Sequence, residues 1–191
     1  MYGIAKRAFC LVIGLVISLS LSAQEFTFGI RNSFKGPGIV FEHTQKEGSF
    51  NSYALSLDIY GLPTGRSKDP GAHFNFSHNI IFTDIEHDGV HYSLYWGSGF
   101  SLGYVHDFEK GFFSRPGGTV LRYNQGFMAA MSGDFGCRFL FRGAIGLDLR
   151  MTGEFGFHLK KNEIYGNPNL SCYLNGVLRA LYPQLTISYS F

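Results

Sequence analysis

The sequence contains few charged side chains. Asp, Glu, Lys and Arg together make up 16% of its 191 residues and give a formal net charge of +2, whereas aromatic residues make up 17%. Typical soluble domains contain about 25% charged residues. A charge content this low is unusual for a soluble secreted domain, and the near-neutral balance gives no reason to expect a nucleic-acid partner.

Cysteine is also scarce. The chain has three cysteines, and Cys10 lies in the segment that we expect to be removed from the mature protein. Cys137 and Cys172 are then the remaining pair, which is too few for the disulfide framework of a small secreted scaffold.

Long hydrophobic runs are absent except near the N-terminus. Residues 8–21 form an apolar run that follows the basic pair "KR" and precedes small residues. The run is shorter than the ~18 residues expected of a membrane-spanning helix. We therefore predict a secretory signal peptide over residues 1–23, with a single anchor helix as the alternative. Residues 24–191 would form one domain.

What the mature chain does contain is alternation of large apolar residues with small or polar ones. The segment "AIGLDLRMTGEFGFHL" shows this period of two, which is typical of β-strands with one apolar face. Only "HNIIFTD" breaks the parity, and it predicts a β-bulge. The pattern predicts eight strands, at about residues 25–33, 37–45, 49–61, 72–85, 90–105, 124–141, 144–159 and 183–191.

The charged residues within these strands all share the small, polar parity. Gly, Ser and Thr accompany them on the same face of the sheet. This composition is typical of the face that lines a narrow polar lumen, and the other face of the sheet would then contact lipid. In an eight-stranded barrel such a lumen is filled by side chains, and buried charges must be paired because desolvation is costly. We predict a lumen charge network formed by Arg31, Glu42, Asp58, Asp134, Arg138, Asp148, Arg150 and Glu154. Arg138 is expected to pair with Asp148 or Asp134. Arg150 is expected to pair with Glu154 or Asp134. An ion path is the alternative role for these charges.

The connections between the predicted strands alternate in length. Those after the second, fourth and sixth strands are "KEG", "EHDG" and "RG", and those after the third, fifth and seventh strands are much longer. Outer-membrane barrels combine short periplasmic turns with long extracellular loops in this way. An even number of strands then places both termini in the periplasm.

The C-terminal heptamer "LTISYSF" completes the pattern. Leu185, Ile187, Tyr189 and Phe191 share one parity, and this ending resembles the C-terminal signal that the barrel-assembly machinery reads in bacterial outer-membrane proteins. Together with the predicted signal peptide and the eight alternating segments, the mature chain resembles the small outer-membrane barrels of the OmpA, OmpX and OmpW type. The resemblance implies an all-β, eight-stranded, antiparallel up-and-down barrel in the outer membrane of a Gram-negative bacterium. We expect no periplasmic domain of the OmpA kind.

One short motif supports an enzymatic alternative. "HYS" at residues 91–93 resembles the His-x-Ser pair of outer-membrane lipid A deacylases, in which His activates a Ser nucleophile. The strand pattern, however, places it beside the "EHDG" turn, with both side chains in the lumen and far from the outer leaflet. We therefore expect no catalytic activity. The remaining histidines lack metal-ligand spacing, so neither a metal nor another cofactor is expected.

Two predicted extracellular loops carry apolar residues. They are Phe108, Phe112 and Phe113 in one loop and Leu170, Leu174, Val177, Leu178 and Leu181 in the other. The second set has helical spacing, and a strand extension is the alternative. Such loops predict either a lid over the barrel mouth or a docking surface for another outer-membrane protein or for lipopolysaccharide. The sequence thus predicts a non-enzymatic structural or interaction component, an accessory subunit of a larger envelope complex, with a narrow channel or small-ligand carrier as the remaining alternative.

Overall fold

A computed structural model describes residues 26–33, 35–46, 48–63, 69–106, 125–142, 144–161, 168–175 and 182–191. The described residues form nine strands: β1 Phe26–Asn32, β2 Pro37–Lys46, β3 Ser49–Asp58, β4 Gly71–His87, β5 Val90–His106, β6 Gln125–Phe141, β7 Ile145–Lys161, β8 Pro168–Asn175 and β9 Tyr182–Ser190. They include no helix that is long and apolar enough to cross a membrane. The predicted signal peptide lies outside the described residues.

The strands close into a barrel. Each of β1 to β7 pairs in antiparallel fashion with the next, and β9 pairs with both β7 and β1. The eighth position in the wall is shared, because β9 pairs with β7 up to Thr152, opposite Tyr182, and β8 pairs with β7 from Glu154, opposite Asn175. β8 and β9 are therefore two pieces of one strand position, separated in sequence by residues 176–181. The predicted all-β, eight-stranded, up-and-down antiparallel barrel is confirmed.

The register is staggered around the barrel. A row of paired residues that starts at Phe28 runs through Phe41, Tyr53, Phe76, Phe100 and Met131 to Phe155 on β7. In the other direction the same row passes through Tyr189 and reaches β7 at Ile145, ten residues away. A stagger of this kind goes with strands tilted by roughly 40° to the barrel axis, so residues that share a row lie at different heights.

Short turns close one end of the barrel, which we call the turn end; the opposite end is the loop end. Asp88 and Gly89 join β4 to β5 with φ values of 51° and 76°, as expected for a two-residue hairpin turn with both central residues in the left-handed region. Gly48, with a φ of 82°, turns the chain from β2 to β3. Both ends of the described chain also lie here, because the Phe191 amide donates to the Phe26 carbonyl over 3.0 Å.

Large apolar side chains point away from the lumen. On β6, Phe127, Met131 and Phe135 are 67%, 74% and 52% exposed, whereas the inward-facing Ser132 and Asp134 between them are buried. The described residues therefore form a single layer of sheet, with polar groups inside and apolar side chains outside. This placement follows from the parity that the sequence predicts.

Most strand ends differ from the sequence prediction by one or two residues. The third strand ends at Asp58 rather than near residue 61, and β4 continues to His87 beyond the predicted bulge, where the register shifts between Ile81 and Thr83. The segment for which helix and strand extension were the two alternatives contains a strand, β8, so the strand alternative holds over residues 168–175. The residues of β8 pair with the half of β7 that β9 does not reach, because a strand there satisfies backbone groups that would otherwise lack partners.

Candidate functional site

The centre of the lumen charge network is the carboxylate of Glu42 on β2. Arg138 Nη2, from β6, donates to Glu42 Oε2 over 2.6 Å, and Arg150 Nη2, from β7, donates to Glu42 Oε1 over 3.0 Å. Glu42 is buried because its position on β2 has the inward parity. One carboxylate therefore holds two guanidinium groups that come from the other side of the lumen.

Arg150 is 1% exposed and contacts several members of the network besides Glu42. Its Nε donates to the Tyr95 hydroxyl over 2.8 Å, and that hydroxyl donates to Asp148 Oδ1 over 2.7 Å. Arg150 Nη1 donates to the Ser52 hydroxyl over 3.0 Å and lies 3.6 Å from Asp134 Oδ2. The predicted pairing of Arg150 with Asp134 is present.

Arg138 lies nearer the turn end. Its Nη2 is 3.6 Å from Asp148 Oδ2, so the predicted pairing with Asp148 is also present. The guanidinium carbon lies 4.0 Å from the centroid of the Phe50 ring, and that ring meets Tyr95 edge-on at 5.1 Å. Phe50 and Tyr95 exclude water from the network, which strengthens the ionic contacts that remain.

Of the two alternative partners predicted for Arg150, Asp134 is the one observed, and Glu154 makes other contacts. Glu154 Oε1 lies 2.7 Å from His73 Nε2 on β4, and its Oε2 accepts from the Tyr173 hydroxyl over 3.4 Å. Lys35 Nζ in turn donates to the Tyr173 hydroxyl over 2.5 Å. These contacts form a second polar group nearer the loop end. The alternation of β4 contained the signal for His73, since it shares inward parity with Asn75 and Ser77, whereas Lys35 lies in a turn where parity carries no information.

The other two predicted network residues are buried but make different contacts. Asp58 Oδ2 accepts the backbone amide of His106 over 2.7 Å. Arg31 Nε donates to the Thr186 hydroxyl over 3.4 Å. The lumen therefore contains one compact network, formed by Glu42, Asp134, Arg138, Asp148 and Arg150, with Asp58, Arg31 and Glu154 outside it.

The "HYS" residues lie at the turn end. The Ser93 hydroxyl donates to Asp84 Oδ1 over 2.9 Å, and His91 Nε2 lies 3.7 Å from Glu86 Oε1. Among the residues that the structure describes, Ser93 makes no hydrogen bond to His91. A Ser–His couple requires such a bond within about 3.2 Å, although it is often looser before substrate binds.

Three of the C-terminal residues with the assembly-signal pattern lie on the outer face of β9, and Phe191 directly follows this strand. Leu185, Ile187, Tyr189 and Phe191 are all exposed. In the predicted docking surface, Leu170 faces outward on β8 and is 64% exposed. Phe108, Phe112, Phe113, Val177, Leu178 and Leu181 lie outside the described residues, as does the side chain of Leu174.

Comparison with known proteins gives one line of evidence, and it concerns the fold. No protein-family model matches the sequence, and no curated protein matches it. The N-terminal β-barrel domain of Pseudomonas aeruginosa OprF has a similar structure, with a TM-score of 0.50 and 10% sequence identity, over 87% of this chain and 96% of that domain. The chain has the fold of a small OmpA-like barrel. At 10% identity this similarity concerns the fold and not activity or partners.

Proposed function

We propose that the protein is a non-catalytic integral barrel of the bacterial outer membrane, closed by its lumen charge network, which acts as a structural or interaction component of the envelope. The observation that carries this proposal is the outward placement of large apolar side chains around a lumen lined with charges. Exposed apolar surface on this scale is rare on monomeric soluble proteins, whereas hydrocarbon accommodates it without cost.

The aromatic residues of β5 support a membrane setting. Tyr92 packs edge-on against Phe139 near the turn end, and Tyr104 packs against Phe127 near the loop end. The two tyrosines are twelve residues apart on one face. At ~3.3 Å per residue and a tilt near 40°, their separation along the barrel axis is roughly 30 Å, close to the spacing between the aromatic girdles of outer-membrane barrels.

The lumen network argues for a closed barrel rather than a pore. Arg138 and Arg150 cross the lumen to Glu42, and the rings of Tyr95 and Phe50 pack beside them. Porins need a continuous water column, and paired charges that fill the cross-section remove it. A role at the surface of the barrel is then favoured over transport through it.

The barrel wall at the loop end supports a role in docking. Within the described ranges β8 pairs with β7 alone, because β1 reaches only to Asn32, which lies opposite Leu185 on β9. An unpaired strand edge is a template for a strand of another chain. Leu170 adds exposed apolar surface beside this edge. We therefore propose that the docking site for another outer-membrane protein lies along β8.

Affinity purification of the tagged chain from native envelopes in mild detergent tests the proposal. A partner should be recovered in stoichiometric amount and lost when residues 170–182 are replaced by a short Gly/Ser linker. Leu170→Lys, which keeps the β8 backbone, should weaken recovery. Replacing Asp88–Gly89 with Gly-Gly at the turn end is the matched control and should retain the partner. Recovery of the barrel alone would overturn the docking role, and release of the chain by a carbonate wash would overturn the membrane assignment.

A further inference from the structure

A small cavity lies in the lumen beside the second polar group, and the charge network does not fill it. Its volume is about 20 Å³, which is enough for one ligand of the size of a water molecule. It is lined by Arg31, Ser33, Lys35, Ser56, His73, Thr152, Glu154 and Gln184. All of these side chains are polar, which is unusual for a cavity left by imperfect packing.

Arg31 is a buried lining residue with few direct contacts. It is 2% exposed, its Nε makes the single 3.4 Å bond to Thr186, and its Nη2 has no hydrogen-bond partner among the described residues. The acidic groups of the charge network attract it only from beyond ion-pair distance. A buried guanidinium without an anion in direct contact is costly, so Arg31 has a donor available for a ligand.

Lys35 brings a second buried cation to the same cavity. It is 6% exposed, and its Nζ donates to the neutral Tyr173 hydroxyl and lies 5.2 Å from the centroid of that ring. No carboxylate of the described residues lies within 4.0 Å of its Nζ. A phenol accepts a hydrogen bond but does not neutralise the charge.

Among the described residues that line the cavity, cations outnumber carboxylates. Arg31 and Lys35 contribute two cations, while Glu154 contributes one carboxylate, which His73 engages at 2.7 Å. The charge network, with three carboxylates and two guanidinium groups, offsets Arg31 at longer range. A small anion in the cavity would in addition contact both Arg31 and Lys35 directly and oppose their charge, which a water molecule cannot do.

We propose that this cavity is a binding site for one small monovalent anion, with chloride as the natural ligand. Arg31 Nη2 and Lys35 Nζ supply charged donors, and the Ser56 hydroxyl, which can rotate toward the cavity, supplies a neutral one. The volume excludes larger anions such as phosphate, sulfate or gluconate. A water that donates to Gln184 Oε1 is the competing occupant. The site depends on the closed barrel and not on its location in the cell.

Bromide is a direct probe of the site. Crystals of the full refolded chain grown in sodium bromide should show an anomalous difference peak beside Arg31 Nη2, and crystals of Arg31→Gln grown in the same way should lack it. Density for a water without an anomalous signal in the wild-type crystals would overturn the proposal.

Stability in solution gives a second readout. At fixed ionic strength the chain should be more resistant to unfolding in sodium chloride than in sodium gluconate. At a chloride concentration about ten times the Kd, the equilibrium constant for unfolding should fall roughly tenfold. Arg31→Gln should abolish this difference, and Lys35→Met, which tests the site if the Arg31 variant does not fold, should reduce it.

Arg142→Gln is the matched control because Arg142 is an exposed cation in the turn between β6 and β7. It should retain the full chloride effect. Equal wild-type stability in the two salts, or a chloride effect that survives in Arg31→Gln, would overturn the assignment.

Discussion

Arg150 and Glu42 meet across the lumen, with Arg150 Nη2 3.0 Å from Glu42 Oε1, although 108 residues separate them in sequence. The other oxygen of the same carboxylate holds Arg138. Three strands are thus tied together inside the barrel by one acidic side chain, in addition to the backbone hydrogen bonds of the wall. This arrangement makes Glu42 the residue on which the charge network depends most.

Glu42→Gln should destabilise the folded barrel strongly. The substitution leaves two buried guanidinium groups without their shared anion, and breaking a buried ionic network typically costs about 3–5 kcal/mol. Urea unfolding in lipid vesicles, followed by the fluorescence of Trp96, the single tryptophan, measures the change. Glu86→Gln, at a side chain that is 64% exposed at the turn end, is the control and should leave the midpoint unchanged. Equal midpoints for both variants would contradict a stabilising role for Glu42.

Gly136→Ala should destabilise the barrel, whereas Gly133→Ala on the same strand should be nearly neutral. A Cβ at Gly136 would lie 2.3 Å from the Tyr95 hydroxyl oxygen and would push that ring away from Asp148 and Arg150. A Cβ at Gly133 would meet nothing closer than 4.0 Å. The comparison requires only the two urea midpoints. A smaller loss for Gly136→Ala than for Gly133→Ala would show that Tyr95 can move without cost.

The wild-type chain should give flat current traces in planar bilayers because side chains fill its lumen. Removing one ionic pair with Glu42→Ala and Arg138→Ala should widen the turn-end half and produce discrete steps. The double variant Glu86→Ala and Arg142→Ala, which removes exposed charges, should remain silent. Steps from the wild-type chain would favour the channel alternative and contradict a closed lumen.

Cys137 and Cys172 can be used to test whether lipid or water contacts the outer face of the barrel. Both are free; Cys172 is exposed on β8, and Cys137 faces outward on β6 between Leu94 and Leu149. In proteoliposomes a water-soluble maleimide should modify Cys172 and not Cys137, because the reactive thiolate does not form in hydrocarbon. After denaturation both should react, and Cys137→Ser and Cys172→Ser assign the products. Equal labelling rates before denaturation would show that water reaches the outer face at Cys137.

Strand parity carried most of what the sequence could reveal. Parity alone assigns Glu42, Asp134 and Arg150 to the lumen, because a period of two places each residue on one face of the sheet. Parity says nothing about height, however. Which inward residues meet depends on the stagger between strands, and that stagger follows from turn lengths and pairings that the sequence pattern leaves open.

The sequence left Glu154 and Asp134 as alternative partners of Arg150, and the case of Arg150 and Glu154 shows this limit. Four residues apart, they share a face, but on an extended strand they are separated by roughly 13 Å. The stagger instead brings Glu42 and Asp134 to Arg150 and leaves Glu154 for His73. The choice between helix and strand at β8 has a similar origin, since apolar residues at a spacing of four, such as Leu170 and Leu174, satisfy both the helical period and strand parity.

The shared eighth position leaves the wall unevenly joined. β1 meets β9 only over Thr27–Asn32, whereas β5 and β6 are joined along the whole of Val90–His106. Thermal breathing should therefore start where the ladder is shortest, and amide hydrogens of β1 should exchange with deuterium well before those of β5. Opening of the barrel would then begin at the β1–β9 seam, which only the six residues Thr27–Asn32 hold together, while the long strands β4 to β7 stay paired.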